Sequence, residues 1–136
     1  MRTELLNDGH EWLRIASADW EDPLDPSFAA LRGGRWNPPG SFPTLYFNED
    51  MVTARFNLGR FIEQWPYEPE DLRDDAGPVL VRAVLPRGQR VADCHTPAGV
   101  AALGLPVSFP LDGQGRLVPH EICQPIGKVA RERDLR

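Results

Sequence analysis

The chain has 136 residues, of which 41% are hydrophobic and 26% charged. This mixture is typical of one globular domain and excludes disordered, collagen-like and coiled-coil chains. The formal net charge is −5 and the chain has a single lysine, Lys128, so nucleic acid and an anionic membrane surface are poor candidates for a partner. No apolar run reaches the ~20 residues of a membrane span, and the N-terminus lacks the apolar core of a secretory signal. We therefore expect a cytoplasmic protein with one domain over residues 1–136.

The first part of the chain predicts short elements separated by turns. Residues 11–17 (EWLRIAS) predict a first strand, in which Trp12, Arg14 and Ala16 lie on one face and Leu13 and Ile15 on the other. A turn-rich loop with two Asp-Pro pairs follows, and residues 27–31 fit one helical turn. Residues 44–47 (TLYF) are rich in β-prone side chains and predict a second strand.

The clearest helix is predicted over residues 51–65. Its apolar residues recur at spacings of three and four, which gives it one buried face, and Asp50 precedes it as a good N-cap. Pro66 ends it. Residues 66–77 carry five acidic side chains and two prolines, which indicates a solvated connection rather than a site.

The remaining chain predicts two strands and two helices. Residues 78–85 (PVLVRAVL) form the strongest predicted strand, expected at the centre of the sheet, and residues 89–93 form a weaker one. Helices are predicted over residues 97–103 and 118–133, the second kinked or restarted at Pro125. The pattern favours an α+β fold with a small mixed, largely antiparallel sheet flanked by helices.

Four side chains are candidate ligands of a metal ion. Cys94-His95 and His120-x-x-Cys123 together offer two nitrogen and two sulfur ligands. The second spacing suits one helical turn, but adjacent residues rarely both reach one ion. A structural or solvated role is therefore favoured over a zinc site, and no metal is expected.

The segment with the densest chemistry is residues 32–46 (RGGRWNPPGSFPTLY). Its glycines allow a close backbone approach, its arginines can grip phosphate or carboxylate, and its aromatic rings can stack on a ligand. On composition alone, a turn with surface arginines is the simpler interpretation, because exposed arginines are common.

The sequence GGRWNPPG at residues 33–40, followed by Leu45-Tyr46 and a helix containing Ala54, resembles the central motif of the RES-domain family. Arg14, in the first predicted strand, matches an arginine that the family places at the end of an early strand. Residues 103–127 are similar to the later half of one RES subgroup. The resemblance extends along most of the chain.

This resemblance implies a compact fold similar to ADP-ribosyltransferases, with a cleft for NAD. Toxin members of the family degrade NAD at the nicotinamide–ribose bond, by phosphorolysis or hydrolysis. They are usually neutralised by a helix-turn-helix antitoxin encoded beside them. NAD is therefore implied as substrate and an antitoxin protein as partner.

The family residues carry over to four positions. Arg14 and Arg35 match the two family arginines, which are expected to hold the NAD pyrophosphate or position the nicotinamide ribose. Tyr46 matches a tyrosine suited to ring stacking. The family glutamate falls on Asn57, which is the candidate catalytic position. For Asn37 a structural role in the turn is preferred.

Two departures from the family pattern bear on activity. An amide at Asn57 can bond ribose hydroxyls but supplies no charge, and Glu63 lies on another helix face. The family's C-terminal serine segment has no match before Arg136. Three hypotheses follow: a weak or altered NAD-processing enzyme of the RES kind, a non-catalytic RES-like module that binds a nucleotide or a protein, and a plain structural domain.

Overall fold

A computed structural model describes residues 1–6, 9–64 and 77–135. The fold is α+β. Its elements in chain order are β1 (Thr3–Leu5), β2 (Glu11–Ala16), α1 (Ser27–Arg32), α2 (Met51–Gln64), β3 (Val79–Val84), β4 (Arg90–Ala92), α3 (Pro97–Ala102) and α4 (His120–Glu132). The predicted end of the long helix at Trp65 and the acidic connection up to residue 76 lie outside the described residues.

Both sheets in the described part of the chain are two-stranded and antiparallel. In the first, β1 pairs with β4, and Thr3 lies opposite Ala92. In the second, β2 pairs with β3, and Arg14 lies opposite Val81. The prediction of small, largely antiparallel sheet structure is confirmed. The central position expected for β3 is wrong for the described residues, because β3 pairs with β2 alone.

The chain divides into two compact units. The first unit comprises Met1–Asp8, Pro26–Thr44 and Pro86–Arg136, and the second comprises Gly9–Asp25 and Leu45–Leu85. The first therefore holds β1, β4, α1, α3 and α4, whereas the second holds β2, β3 and α2. The organisation as a single domain stays a prediction.

The first unit packs around a small apolar core beside α3 and α4. Its buried members are Val100, Leu105, Val118 and Cys123. The helix α3 begins as predicted at Thr96-Pro97: the Thr96 side chain accepts a hydrogen bond from the Gly99 amide, which satisfies one of the free amides of the first turn.

The helix α4 is continuous through Pro125, so the predicted restart is wrong, and the predicted kink stays a prediction. The ring removes a single donor, which would otherwise reach the carbonyl of Glu121 one turn earlier. Both Glu121 and Pro125 are exposed, so water can satisfy that carbonyl. The helix therefore tolerates the proline at this place.

The second unit packs α2 against β2, and Val79 and Leu80 of β3 line the cavity between them. Asp50 caps α2 as predicted, since its carboxylate accepts a hydrogen bond of 2.7 Å from the Thr53 amide. Ala54 is buried, and it lines a cavity of about 210 Å³ together with Ile15 and Leu58. Two members of the predicted apolar stripe of α2, Ala54 and Leu58, thus face the sheet.

The strand predicted over residues 44–47 is wrong. Those residues lie outside any strand, and Asn48 alone forms an isolated antiparallel bridge, to Leu13. The carbonyl of Tyr46 accepts from the Arg14 guanidinium, so the segment contacts β2 through a side chain as well as through the Asn48 bridge. The β propensity of the TLYF sequence is therefore overridden by its tertiary surroundings.

Candidate functional site

The guanidinium of Arg14 is buried at the middle of β2. The residue is 8% exposed. Its Nε donates to the carbonyl of Pro23 at 2.8 Å, and one terminal nitrogen donates to the carbonyl of Tyr46 at 3.2 Å. The ring of Trp20 lies 5.6 Å from the guanidinium carbon. Two backbone carbonyls and an aromatic face therefore hold the group in one orientation.

This charge has no carboxylate partner among the described residues. Burial lowers the pKa of Arg14 through desolvation, with no contribution from a neighbouring charge. A guanidinium has five N–H donors, and two of them are used inside the unit. A buried charge without a counterion is costly, so the arrangement suits an anionic group that arrives from outside.

Tyr46 lies beside this group through its backbone. It is half-buried, and its carbonyl is the one that binds Arg14. Two residues later, Asn48 is buried and its backbone pairs with that of Leu13. Residues 46–48 therefore run beside β2 on the side away from β3.

Asn57 lies on α2 and its side chain is exposed. Its Nδ2 donates to Oδ1 of Asn48, and Nδ2 of Asn48 donates in turn to the carbonyl of Leu13 at 3.0 Å. The candidate catalytic position is thus tied by its amide to the strand that carries Arg14. The Asn57 side chain therefore makes a hydrogen bond within the unit and is also accessible to solvent.

Arg14 points to one face of β2, and α2, which carries Asn57, packs on the other. Neighbouring residues of a strand point to opposite faces, and Ile15 shares the cavity with Ala54 of α2. The Arg14 side chain therefore leaves from the face away from α2. Residues 46–48 connect the two, since Tyr46 contacts Arg14 and Asn48 contacts Asn57.

Arg35 belongs to the first unit, where it is half-buried. One terminal nitrogen donates to the carbonyl of Val118 at 3.0 Å, and the guanidinium carbon lies 5.9 Å from the centre of the Phe109 ring. The Sγ of Cys123 is 4.0 Å from the same nitrogen. Among the described residues Arg35, like Arg14, has a carbonyl and a ring for neighbours but no carboxylate.

The turn that carries Arg35 is held rigidly. Asn37 is fully buried and donates to the carbonyl of Ala29 at 2.7 Å, which confirms the structural role preferred for it. Gln124 of α4 donates to the carbonyl of Gly34 at 3.0 Å. Gly33 has a φ of 74°, and a Cβ there would lie 2.7 Å from the nitrogen of Pro39, so the turn requires glycine.

The four candidate zinc ligands, Cys94, His95, His120 and Cys123, do not come together as one metal-binding group in the described part of the chain. The group that does assemble there is Glu4, Asp93 and His95, and Asp93 is already bonded to Thr96. Burial raises the pKa of Cys94 to about 11, which keeps its thiol protonated and disfavours it as a nucleophile or ligand.

The sequence did not predict that Trp20 and Asn48 contribute to the surroundings of Arg14 and Asn57. Trp20 lies in the loop that the Asp-Pro pairs predicted, and an indole in a polar loop was the available signal. Asn48 follows directly after the LYF run, and an amide between a β-prone segment and a helix cap reads as a turn residue. Neither contact can be derived from spacing.

The fold is similar to that of a chain in the crystal structure of the M. tuberculosis MbcT–MbcA toxin–antitoxin complex. The TM-score is 0.74 with 24% sequence identity, and the match covers 96% of this chain and 66% of that chain. This chain thus spans 66% of the length of that chain. No family model and no curated protein matches the sequence.

Within the described residues, none of the helices combines the length and the apolar character that crossing a membrane requires.

Proposed function

We propose that the chain binds NAD through its ADP-ribose portion, as a RES-domain protein with an ADP-ribosyltransferase-like fold. The observation that carries this proposal is the buried Arg14 guanidinium, which faces Trp20 and has no carboxylate partner among the described residues. A pyrophosphate supplies the missing negative charge and accepts the remaining N–H groups in the paired geometry that guanidinium favours.

Two further findings support this proposal. The GGRWNPPG and LY motifs resemble the RES family, whose arginines match Arg14 and Arg35. The fold resembles that of a chain in a toxin–antitoxin complex. We therefore assign this chain to the toxin side of such a pair, in the cytoplasm, with an antitoxin protein as its partner.

Each proposed site residue has one role. Arg14 binds the negative charge of the dinucleotide, since it is held by two backbone carbonyls and faces an aromatic ring. The same role is proposed for Arg35 from its match to the family motif, and a carbonyl and a ring hold its guanidinium in a similar way. Tyr46 offers a ring for stacking. Asn57 takes the place of the family glutamate next to the nicotinamide ribose, and its amide accepts from hydroxyls without adding charge.

A non-catalytic RES-like module is the second candidate function. Asn57 favours it, because a cleavage that develops positive charge on the ribose draws its stabilisation from a carboxylate. Such a module would bind the nucleotide, or a protein partner, and leave NAD intact. The two candidates share the binding step and differ in turnover.

Calorimetry with ADP-ribose tests the binding step. Arg14→Gln removes the charge, and Arg82→Gln is the matched control, since Arg82 lies on the neighbouring strand with its side chain 63% exposed and paired to Glu11. Loss of charge-assisted hydrogen bonds is expected to weaken binding by about 10- to 150-fold in Arg14→Gln. The control is expected to stay within about twofold of the unmodified chain.

Circular dichroism establishes that each variant is folded. If Arg14→Gln does not fold, Arg14→Lys retains the charge but loses the paired donors, and it is expected to show a smaller loss in the same direction. Absence of ADP-ribose binding by the folded, unmodified chain would overturn the proposed function. Equal binding by Arg14→Gln would remove Arg14 from the site.

A further inference from the structure

A chain of hydrogen bonds from Leu13 through Asn48 fixes the direction in which the Asn57 amide points. It starts at the carbonyl of Leu13, which can only accept. It accepts from the Asn48 backbone amide at 2.6 Å and from Asn48 Nδ2 at 3.0 Å. Since a carbonyl oxygen has two lone pairs, both bonds are satisfied at once.

The Asn48 side chain therefore has one permitted orientation. Its nitrogen must face Leu13, because an amide oxygen there would oppose another acceptor. Its backbone is fixed as well, since the Leu13 amide donates to the Asn48 carbonyl at 2.9 Å. Asn48 is 7% exposed, so water cannot readily replace these bonds. Its Oδ1 is then the atom that faces Asn57.

The orientation of Asn57 follows from that of Asn48. An oxygen at Asn48 requires a donor, so Asn57 turns its Nδ2 inward. Its own Oδ1 is left on the exposed side of α2 and accepts no hydrogen bond from the described residues. The exposed group that Asn57 offers is an acceptor, as a carboxylate oxygen would be.

We propose that Asn48 is a positioning residue, which sets the Asn57 amide so that its oxygen accepts a hydrogen bond from a ribose hydroxyl of the bound dinucleotide. This inference rests on the proposed function. It explains how an asparagine can stand at a glutamate position and keep the hydrogen bond to the sugar. An amide free to rotate would turn its NH₂ group, rather than its oxygen, toward the ribose for about half of the time.

The test compares two ligands that share the pyrophosphate. ADP-ribose contains the second ribose and ADP lacks it, so the ratio of their affinities isolates contacts to that sugar. Asn57→Ala removes the acceptor and leaves the Asn48–Leu13 bonds in place. It is expected to lower the preference for ADP-ribose over ADP by about 3- to 10-fold, the value of one neutral hydrogen bond.

Asn48→Ala is expected to produce the same fall in the ratio, although its side chain does not face the ligand. In the double variant the fall is expected to be no larger, because both changes remove one interaction. Binding of ADP alone is expected to change by less than about twofold. Should Asn48→Ala fail to fold, Asn48→Ser keeps a small polar group and is expected to show a fall in the same direction.

The possible failures are distinguishable. If the unmodified chain binds neither ADP nor ADP-ribose, the proposed function and this inference both fall. If it binds ADP-ribose but the ratio is unchanged in Asn57→Ala or in the Asn48 variant, the positioning role alone is overturned. An equal loss of ADP and ADP-ribose affinity in the Asn48 variant would show that Asn48 only supports the fold.

Discussion

A single buried carboxylate organises the start of α3. Asp93 accepts from the Thr96 hydroxyl, from the Thr96 amide at 3.0 Å and from the His95 amide at 3.3 Å. These bonds, the Thr96 hydroxyl first, hold the pKa of Asp93 below its usual range. Gly99 lies so close to Asp93 that a Cβ there would overlap the carboxylate. The carboxylate is therefore a structural element of the first unit.

The first prediction concerns acid stability. Because the pKa of Asp93 is lowered on folding, its stabilising effect is present above the unfolded-state pKa of about 4 and is lost as the pH falls through the folded-state value. Asp93→Asn is therefore expected to be less stable than the unmodified chain at pH 7, with a gap that narrows towards pH 2. Urea unfolding across this range measures the gap.

Asp19→Asn is the control for that prediction, since Asp19 is exposed and accepts nothing from Thr96. Its difference from the unmodified chain is expected to stay small at every pH. A gap for Asp93→Asn that stays constant or widens as the pH falls would contradict the ionic role assigned to the carboxylate.

At the scale of elements, two glycines in helices provide opposite tests of packing. Gly127 of α4 lies against the backbone of Trp36, and a Cβ there would overlap the Trp36 carbonyl oxygen. At Gly59 of α2, by contrast, an added Cβ would have no other atom within 4 Å. The close approach at Gly127 lets α4 dock on the turn that carries Arg35.

We expect Gly127→Ala to lower the free energy of unfolding by about 2–3 kcal/mol, because the helix must move away from residue 36. Gly59→Ala is expected to raise it by roughly 0.5–1 kcal/mol, because alanine loses less backbone entropy in a helix. Chemical denaturation measures both. Equal effects of the two substitutions would show that α4 does not pack against Trp36 as described.

Elements set by local rules could be predicted from the sequence. Alternation located β2, and caps at Asp50 and Thr96 located the starts of α2 and α3. The strand predicted at residues 44–47 was wrong because β propensity does not specify a partner strand. In the described part of the chain this segment leads into an isolated bridge between Asn48 and Leu13. β1 could not be predicted from the sequence, because its three residues are all exposed and show no alternation of buried and exposed side chains.

The family motif nominates the members of the candidate site, which stay a prediction, but it could not give their hydrogen bonds. The motif pointed to Arg14, Arg35, Tyr46 and Asn57, but spacing cannot show that Arg14 is buried without a carboxylate partner in the described chain. It cannot show that Asn57 is fixed by Asn48 either. Burial and hydrogen-bond direction depend on residues far apart in sequence, so they emerge only when the chain is folded.

At the scale of the whole molecule, the chain passes between its two units at four points, after residues 8, 25, 44 and 85. Neither unit is continuous in sequence. The RES-like motif is itself divided, with GGRWNPPG in the first unit and Leu45-Tyr46 in the second. The motif is therefore not one local structure, and its arginine and tyrosine must be tested by separate substitutions.

The last prediction concerns turnover by the whole chain. Breaking the nicotinamide–ribose bond develops positive charge on the ribose, and a carboxylate beside it stabilises that charge. Asn57 supplies an oxygen with a partial charge only, and losing one preorganised electrostatic partner lowers rates by about 10²–10³. We therefore expect the chain to bind ADP-ribose but to release nicotinamide from NAD slowly or not at all, with or without phosphate.

Asn57→Glu restores the carboxylate and is expected to raise nicotinamide release measurably, whereas Arg82→Gln is expected to leave it unchanged. The longer side chain no longer donates to Asn48, whose Oδ1 then lacks its partner, so a modest loss in melting temperature should accompany the gain. Rapid release by the unmodified chain, unaffected by Asn57→Ala, would place the catalytic groups elsewhere. No gain in Asn57→Glu, with ADP-ribose binding intact, would favour the non-catalytic module, because a charge returned to a working cleft must accelerate the cleavage.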